Sequence, residues 1–461
     1  MKKIINFKIT LVLVVIILSV LTSLFININT TFFLLVFYIS GLTILKITNN
    51  SLISNEFKIY NILFFAGFTY ILVSYVYMQF NNYNYLLILD TADSFYPNTI
   101  DYLSYGNIFK SFNAIWNDYN LFNRSNAGYY SILTIFGYIS KLIGSELYTS
   151  LQIGTLFLTS FIGLLLYKIS VNINIDKSNS FKNTLYICLC SYLFFYYTLI
   201  LRDSIILLLF LLISYIFFTK KKTLNIILIF LLSSCIMFLR LESGLFAFLF
   251  IPLYIVYIFK QASKNLKIFY IFSSFLVFYV LYVILRNNFE ILFFAYENNQ
   301  NNYIVGVGSG SGIIASLQNL PPIIGDILSV IYTSIQPIPF WSKLYTSKAY
   351  SIPECYNIMA FPTAVAGFFN FASVFYIVRA IIIKHININL AHKFLLSISL
   401  LFLFLQSAVV SQRRVLFGYV ILYLMASLSY VYTNKKNRFQ FNTFIVFSYI
   451  LLNLFGVYLL W

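Results

Sequence analysis

Apolar residues run along this chain in long blocks, separated by short polar or charged stretches, and the blocks recur from one end to the other. A hydrocarbon core of roughly 30 Å needs a helix of about twenty apolar residues to cross it. On that measure the blocks predict thirteen membrane-crossing helices: 9–27, 31–47, 59–80, 147–169, 183–200, 204–219, 223–239, 243–259, 267–285, 357–379, 394–410, 415–432 and 440–460. The expected fold class is an all-α polytopic membrane protein, a single integral membrane domain over residues 1–461. The opening Met1-Lys2-Lys3, followed by an apolar run from Ile9 to Phe25, resembles a signal peptide. No small-x-small cleavage site follows it, so an uncleaved first helix is expected.

Two further apolar stretches, Tyr129–Ile143 and Ile313–Ile335, are left out of the crossings. If the first crossed alone, Lys168, Lys177 and Lys182 would move to the outer side, against the rule that lysine and arginine collect inside. Both are therefore expected to be interfacial or re-entrant helices within two large outer loops, 81–146 and 286–356.

Composition agrees with this layout. The chain is 61% hydrophobic and 9% charged, which leaves no stretch for a soluble domain of ordinary size. The net charge of +17 points to cytoplasmic loops rather than to nucleic acid. Cys188, Cys190, Cys235 and Cys355 form no CxxC pair, and His385 and His392 fall in a basic loop, so neither residue type suggests a metal site.

The predicted topology puts 20 of the 30 basic residues inside, 18 of them lysine. Six of the ten outer ones are arginine, and 11 of the 13 acids also fall outside. Positive-inside bias accounts for the inner lysines but not for arginine at outer helix ends. Arginine binds phosphate and carboxylate with two parallel donors, so an outer site for anionic groups would explain the excess.

Four constellations carry candidate chemistry. Arg202-Asp203 and Arg240-Leu241-Glu242 each interrupt apolar blocks at an outer helix end, where two guanidiniums at one depth could hold a diphosphate. Each pair could instead neutralise itself at a helical hairpin. Gln412-Arg413-Arg414 places two arginines side by side in a short turn, which an anion would stabilise. The first outer loop carries Asp90, Asp93, Asp101 and Asp118, and a carboxylate just beyond a membrane helix can serve as a general base. Its aromatics Phe95, Tyr96, Tyr102, Tyr105 and Trp116 suit either sugar stacking or interfacial anchoring. The glycine-rich Gly306-Val-Gly308-Ser-Gly310-Ser-Gly312 lacks a P-loop ending and reads as a flexible outer loop.

The order of features is familiar. An acidic first outer loop, then Asn126-Ala-Gly128-Tyr129-Tyr130 and a membrane run from Gln152 to Ser170, resembles polyprenyl-dependent membrane glycosyltransferases of the GT-C type. Leu201-Arg202-Asp203, Arg240 with Glu242, Pro337-Ile-Pro339-Phe340-Trp341 and Arg413-Arg414 look like bacterial O-antigen or capsule repeat-unit polymerases of the Wzy type. That resemblance implies a multi-pass protein of the bacterial inner membrane whose active site faces the periplasm. Its substrate would be an undecaprenyl-diphosphate-linked oligosaccharide, and its partners a flippase and a chain-length regulator. It implies diphosphate binding by Arg202, Arg240 and Arg413, with Arg414, Arg286 and Glu242 beside them. Acid–base work would fall to Asp90, Asp93 or Asp203, since no outer histidine is at hand. No cofactor is expected, although outer aspartates leave room for a divalent metal. Two other readings are a GT-C transferase adding a single sugar from a polyprenyl-phosphate donor, and a lipid-linked oligosaccharide flippase. A flippase would place charge at mid-helix positions, which are almost charge-free here.

Overall fold

A computed structural model describes residues 2–48, 54–80, 95–117, 126–173, 175–219, 224–259, 324, 325, 328, 331, 361–382, 390–405 and 416–460. Among these residues all regular structure is helical. The first half comprises α1 (Lys2–Phe25), α2 (Ile28–Thr48), α3 (Asn55–Phe80), α4 (Phe95–Leu103), α5 (Ile108–Asn117), α6 (Ala127–Ile143), α7 (Leu147–Thr159), α8 (Phe161–Asn172) and α9 (Lys177–Cys190). It is followed by α10 (Tyr192–Tyr197), α11 (Arg202–Ile216), α12 (Leu224–Leu239), α13 (Leu241–Phe248), α14 (Phe250–Phe259), α15 (Phe361–Ile382), α16 (Leu390–Leu405), α17 (Leu416–Tyr432) and α18 (Lys435–Leu460).

Six helical stretches among these residues are long and apolar enough to cross a bilayer: Ile28–Thr48, Asn55–Tyr77, Leu147–Asn172, Leu241–Ile258, Pro362–Ala380 and Lys435–Gly456. Shorter apolar helices cover Ile9–Phe25, Leu224–Leu239, Ala391–Leu403 and Leu416–Tyr432. Many large apolar side chains point outward, among them Val12 and Ile16 on α1, Leu228 and Leu231 on α12, and Phe447, Ile450 and Leu454 on α18. In water such a surface would be an aggregation hazard, whereas against lipid tails it costs nothing.

Two expectations are corrected. The block 183–200 is two helices, because Ser191 adopts an extended backbone and its hydroxyl oxygen accepts from Leu193 N–H, capping α10. His392 lies not in a basic loop but buried in the first turn of α16, which starts four residues before the expected 394. Ala391 and Leu395 pack that turn into the core. The predicted crossing 267–285 lies outside the described residues, and so does almost all of 313–335.

The helix α11 is the pillar of the bundle. Ile205, Ile206, Leu207, Phe210, Leu211 and Ile213 are all buried, so it meets neighbours on every side. Phe210 stacks on Phe417 of α17 at 4.4 Å and lies 6.0 Å from Phe250 of α14, while Phe246 meets Phe402 of α16 at 4.8 Å. Helices in lipid gain little from apolar transfer, so contacts of this kind supply the cohesion.

The helix α6 packs against α2, α7 and α12 as well as α4 and α5. Near its start, Gly128 packs on Phe238 in the last turn of α12, and a Cβ there would sit 3.0 Å from the Phe238 carbonyl oxygen. Beyond its other end, the Gly144 carbonyl accepts from Asn29 Nδ2 in the first turn of α2 at 3.1 Å. The anchor points fall where α12 finishes and α2 begins, called the α6 end below, and α4 and α5 pack on the same helix. The opposite end carries Lys46, Lys177, Lys182, Lys393, Lys435 and Lys436 and is called the basic end below.

Candidate functional site

The chain between α10 and α11 reaches the α6 end without regular structure, so its carbonyls need other donors. Gln152 Nε2 donates to the Thr198 carbonyl at 3.2 Å, Thr159 Oγ1 to Tyr197 at 3.3 Å, and Ser204 Oγ to Tyr196 at 3.0 Å. These bonds pin residues 196–198 to α7 and to the start of α11. Leu201 is extended, and α11 then begins with Arg202 and Asp203 in its first turn. A carboxylate there faces the positive end of the helix dipole.

The turn between α12 and α13 supplies the second half of the site. Arg240 is a single extended residue between the two helices. Its N–H closes α12 by donating to the Ile236 carbonyl at 2.8 Å, and its carbonyl accepts from Gly244 N–H at 3.0 Å to open α13. The fold-back is close enough that a Cβ on Gly244 would lie 2.3 Å from Met237 Cα. Only glycine fits there without moving the hairpin.

These two helix starts meet. Arg240 Nη1 lies 2.6 Å from Asp203 Oδ1, and both side chains are almost fully buried, at 9% and 3% exposure. The two motifs therefore pair across, not within, themselves. Glu242 is exposed and, among the described residues, is in no ion pair. Arg202 is half-buried and donates from Nη1 to the Leu239 carbonyl at 3.2 Å, while its guanidinium lies 5.6 Å from the centroid of the Phe95 ring.

The loop helices build the wall over this cluster. Phe95 is buried and makes edge contacts with Tyr129 at 4.9 Å and Tyr130 at 5.8 Å, so it is committed to packing and to Arg202 rather than free to meet a sugar. Trp116 leans on Phe238 at 5.2 Å. Tyr96 packs edge-on to Tyr148 at 5.1 Å, and burial, then the Glu146 carboxylate, pushes its phenol up to about 12. It therefore stays a neutral O–H donor at working pH. Tyr105 and Trp116 keep exposed ring surface.

Of the nine candidate site residues, Arg202, Asp203 and Arg240 come together and Glu242 sits two residues from Arg240. Asp90, Asp93, Arg286, Arg413 and Arg414 lie outside the described residues. Sequence reasoning missed the part played by Phe95 and the Leu239 carbonyl in holding Arg202. The signal for Phe95 was its place at the head of an aromatic run, and the carbonyl leaves no trace in a sequence. Among the described residues no group of three or more histidine, cysteine or acidic side chains is arranged to hold a metal. The buried and half-buried part of the cluster brings together two arginines and one aspartate. The Leu239 carbonyl and the Phe95 ring thus hold Arg202 beside a second, buried arginine. No protein-family model, no curated protein and no solved structure matches this chain.

Proposed function

We propose that this protein polymerises polyprenyl-diphosphate-linked oligosaccharide repeat units at the outer face of a bacterial inner membrane. The observation that supports this most is the meeting of Arg202, Asp203 and Arg240 from two separate helix starts, under loop helices, at the end opposite Lys46, Lys177, Lys182, Lys393, Lys435 and Lys436. The positive-inside rule then directs the basic end to the cytoplasm and the cluster to the periplasm. The proposed topology keeps thirteen crossings, with the loops 81–146 and 286–356 outside.

In the proposed reaction, a hydroxyl of the acceptor glycan attacks the anomeric carbon of the donor. A new glycosidic bond forms as the bond between that carbon and the diphosphate oxygen breaks, and the polyprenyl diphosphate leaves with the electron pair. The hydroxyl proton passes to a carboxylate, for which we assign Asp90 or Asp93. Charge grows on the leaving diphosphate in the transition state, so guanidiniums already aimed at it lower the barrier. Arg202 is assigned to grip that group, with Arg286, Arg413 and Arg414 as further candidates. Asp203 is buried against Arg240, so we assign it to positioning that arginine rather than to taking the proton.

The test is the surface polysaccharide ladder of cells carrying Arg202→Ala, with membrane expression checked. Loss of long chains while a single lipid-linked unit is still exported and attached supports the reading. Loss of even that unit would indicate an earlier step, either flipping or assembly. An unchanged ladder would leave Arg202 as a helix-end charge and overturn the proposal.

A further inference from the structure

A cavity of about 420 Å³ lies between α9, α15, α17 and α18, on the basic-end half of the bundle. Its deep wall is apolar and includes Ile187, Phe368 and Val446, whereas Asn183, Tyr376 and Asn442 stand nearer the basic end. From Phe368 to Tyr376 the cavity follows α15 for about 12 Å, close to half of a hydrocarbon core. That is the reach of one leaflet.

The rim is cationic. Arg379 lies one turn beyond Tyr376, with its guanidinium 4.7 Å from the Phe441 ring centroid. Arg438 lies 4.2 Å over Tyr430 and donates from Nη2 to the Thr433 carbonyl at 2.8 Å. Among the described residues no carboxylate lines the cavity, and at this end Asp176 is engaged in capping α9. Three buried donors are unpartnered here among the described residues: Arg379 Nε, Arg438 Nε and Asn183 Nδ2, the last on a side chain only 8% exposed that lines the cavity itself. Buried donors left open in this way mark a place where something else accepts.

We propose that this cavity holds one acyl chain of an anionic phospholipid, whose headgroup phosphate sits on Arg379 and Arg438 and whose ester oxygens accept from Asn183. The apolar depth selects the chain, and the two uncompensated guanidiniums select the negative headgroup. The site is at the opposite end from Arg202, and its test reads lipid binding rather than glycan length, so it fails independently of the polymerase reading.

The experiment uses the full-length protein, delipidated in detergent and titrated with dioleoyl phosphatidylglycerol, its dihexanoyl analogue, dioleoyl phosphatidylcholine or inorganic phosphate. Binding is read by native mass spectrometry and by thermal stabilisation. One saturable dioleoyl phosphatidylglycerol site is expected, with phosphatidylcholine and the dihexanoyl lipid far weaker and phosphate without effect. Arg379→Gln and Arg438→Gln should each weaken it about fivefold, as expected for one basic contact apiece. Ala372→Phe, which fills the cavity from α15, should weaken it while leaving both arginines in place. Equal binding of both headgroups, equal binding of the short-chain lipid, protection by phosphate alone, or unchanged binding in Ala372→Phe would each overturn the proposal. The chain-length comparison uses the unaltered protein, so it decides the matter even if a variant fails to fold.

Discussion

The two ends of this molecule hold arginine in different ways. At the α6 end, Arg240 is buried with its charge met by Asp203 at 2.6 Å. At the basic end, Arg379 and Arg438 are half-exposed and lie on aromatic faces, and Arg438 adds a backbone carbonyl. A buried guanidinium costs several kcal/mol to strip of water, so it needs a carboxylate close by. A guanidinium stacked at a rim keeps part of its hydration and needs no counter-ion, at a gain of about 0.5–1 kcal/mol from the ring. The first arrangement is a lock, in which each charge depends on the other. The second leaves donors open to a ligand. Arg202 stands between them, at the lock but held by a ring and a carbonyl.

The comparison breaks most plainly at Asp203. Asp203→Asn keeps the shape of the side chain and leaves Arg240 buried without its counter-charge. Breaking a buried pair in this way should cost roughly 3–5 kcal/mol. Arg379→Gln should cost no more than about 1 kcal/mol. The double change Asp203→Leu with Arg240→Met should recover most of the loss, because removing both charges removes the desolvation cost as well. Retained helical signal during denaturant titration in detergent is the measurement. Equal losses for Asp203→Asn and Arg379→Gln would show that Asp203 and Arg240 are no lock.

A smaller effect sharpens the geometry of that lock. Gly244→Ala puts a Cβ 2.3 Å from Met237 Cα, so α13 must shift away from α12 and carry Arg240 with it. Overpacking of this kind should cost about 1–3 kcal/mol. Ser234→Ala, on an exposed part of α12 where the hydroxyl donates only to the Phe230 carbonyl of its own helix, should stay within about 0.5 kcal/mol. A double-mutant cycle of Gly244→Ala with Asp203→Asn should show strong non-additivity, since both loosen the same ion pair.

Particular residues show what was legible before the fold was known. Charges inside apolar blocks are rare, so Arg202, Asp203 and Arg240 stood out at once. Their cross-pairing was not legible, because it depends on where the turn after α12 meets the start of α11. Tyr129–Ile143 read as an interfacial or re-entrant helix from a lysine count, and the stretch is one helix, α6, tied to α12 at Phe238 and to α2 at Asn29. The break at Ser191 was missed because Tyr192 to Tyr197 continues the apolar run. A serine able to cap was the only sign of it. Phe95 read as either a sugar-stacking ring or an interfacial anchor, and it is buried, with Arg202 over its ring. The basic-end cavity had one faint trace, the small pairs Ala372-Ser373 and Ala426-Ser427 on two different helices. Small residues usually bring membrane helices into close contact, and nothing local says that here they leave room.

The smallest effect concerns the caps, where the two ends again differ. Glu146 caps α7 at the α6 end, its carboxylate accepting from Tyr148 and Thr149 N–H at 3.0 and 2.6 Å, and its own N–H is held by Thr30 Oγ1 at 3.0 Å. Asp176 caps α9 at the basic end by accepting from Ser178 and Asn179 N–H, both at 3.1 Å, and it is exposed. The backbone bond from Asn179 leads the contacts that hold the Asp176 carboxyl below the usual carboxylate range. A group with a lowered folded value stabilises the fold at pH above its ordinary value, near about 4, and that contribution fades as pH falls through the folded value. Solvent screens this site, so the expected effect is slight. Asp176→Ala should lower the melting temperature of the detergent-solubilised protein by about a degree or two at neutral pH, with the gap to the unaltered protein narrowing slightly below about pH 4, where the protonated carboxyl still accepts from Ser178 and Asn179. Asp176→Asn keeps the acceptor and loses only the charge, so it should recover most of that loss. A gap in Asp176→Ala that persists unchanged at low pH would mean that the carboxylate charge contributes nothing to this cap. Glu146→Ala should cost more than Asp176→Ala, because the Glu146 carboxylate is half-buried and its bonds to Tyr148 and Thr149 N–H are less screened by solvent.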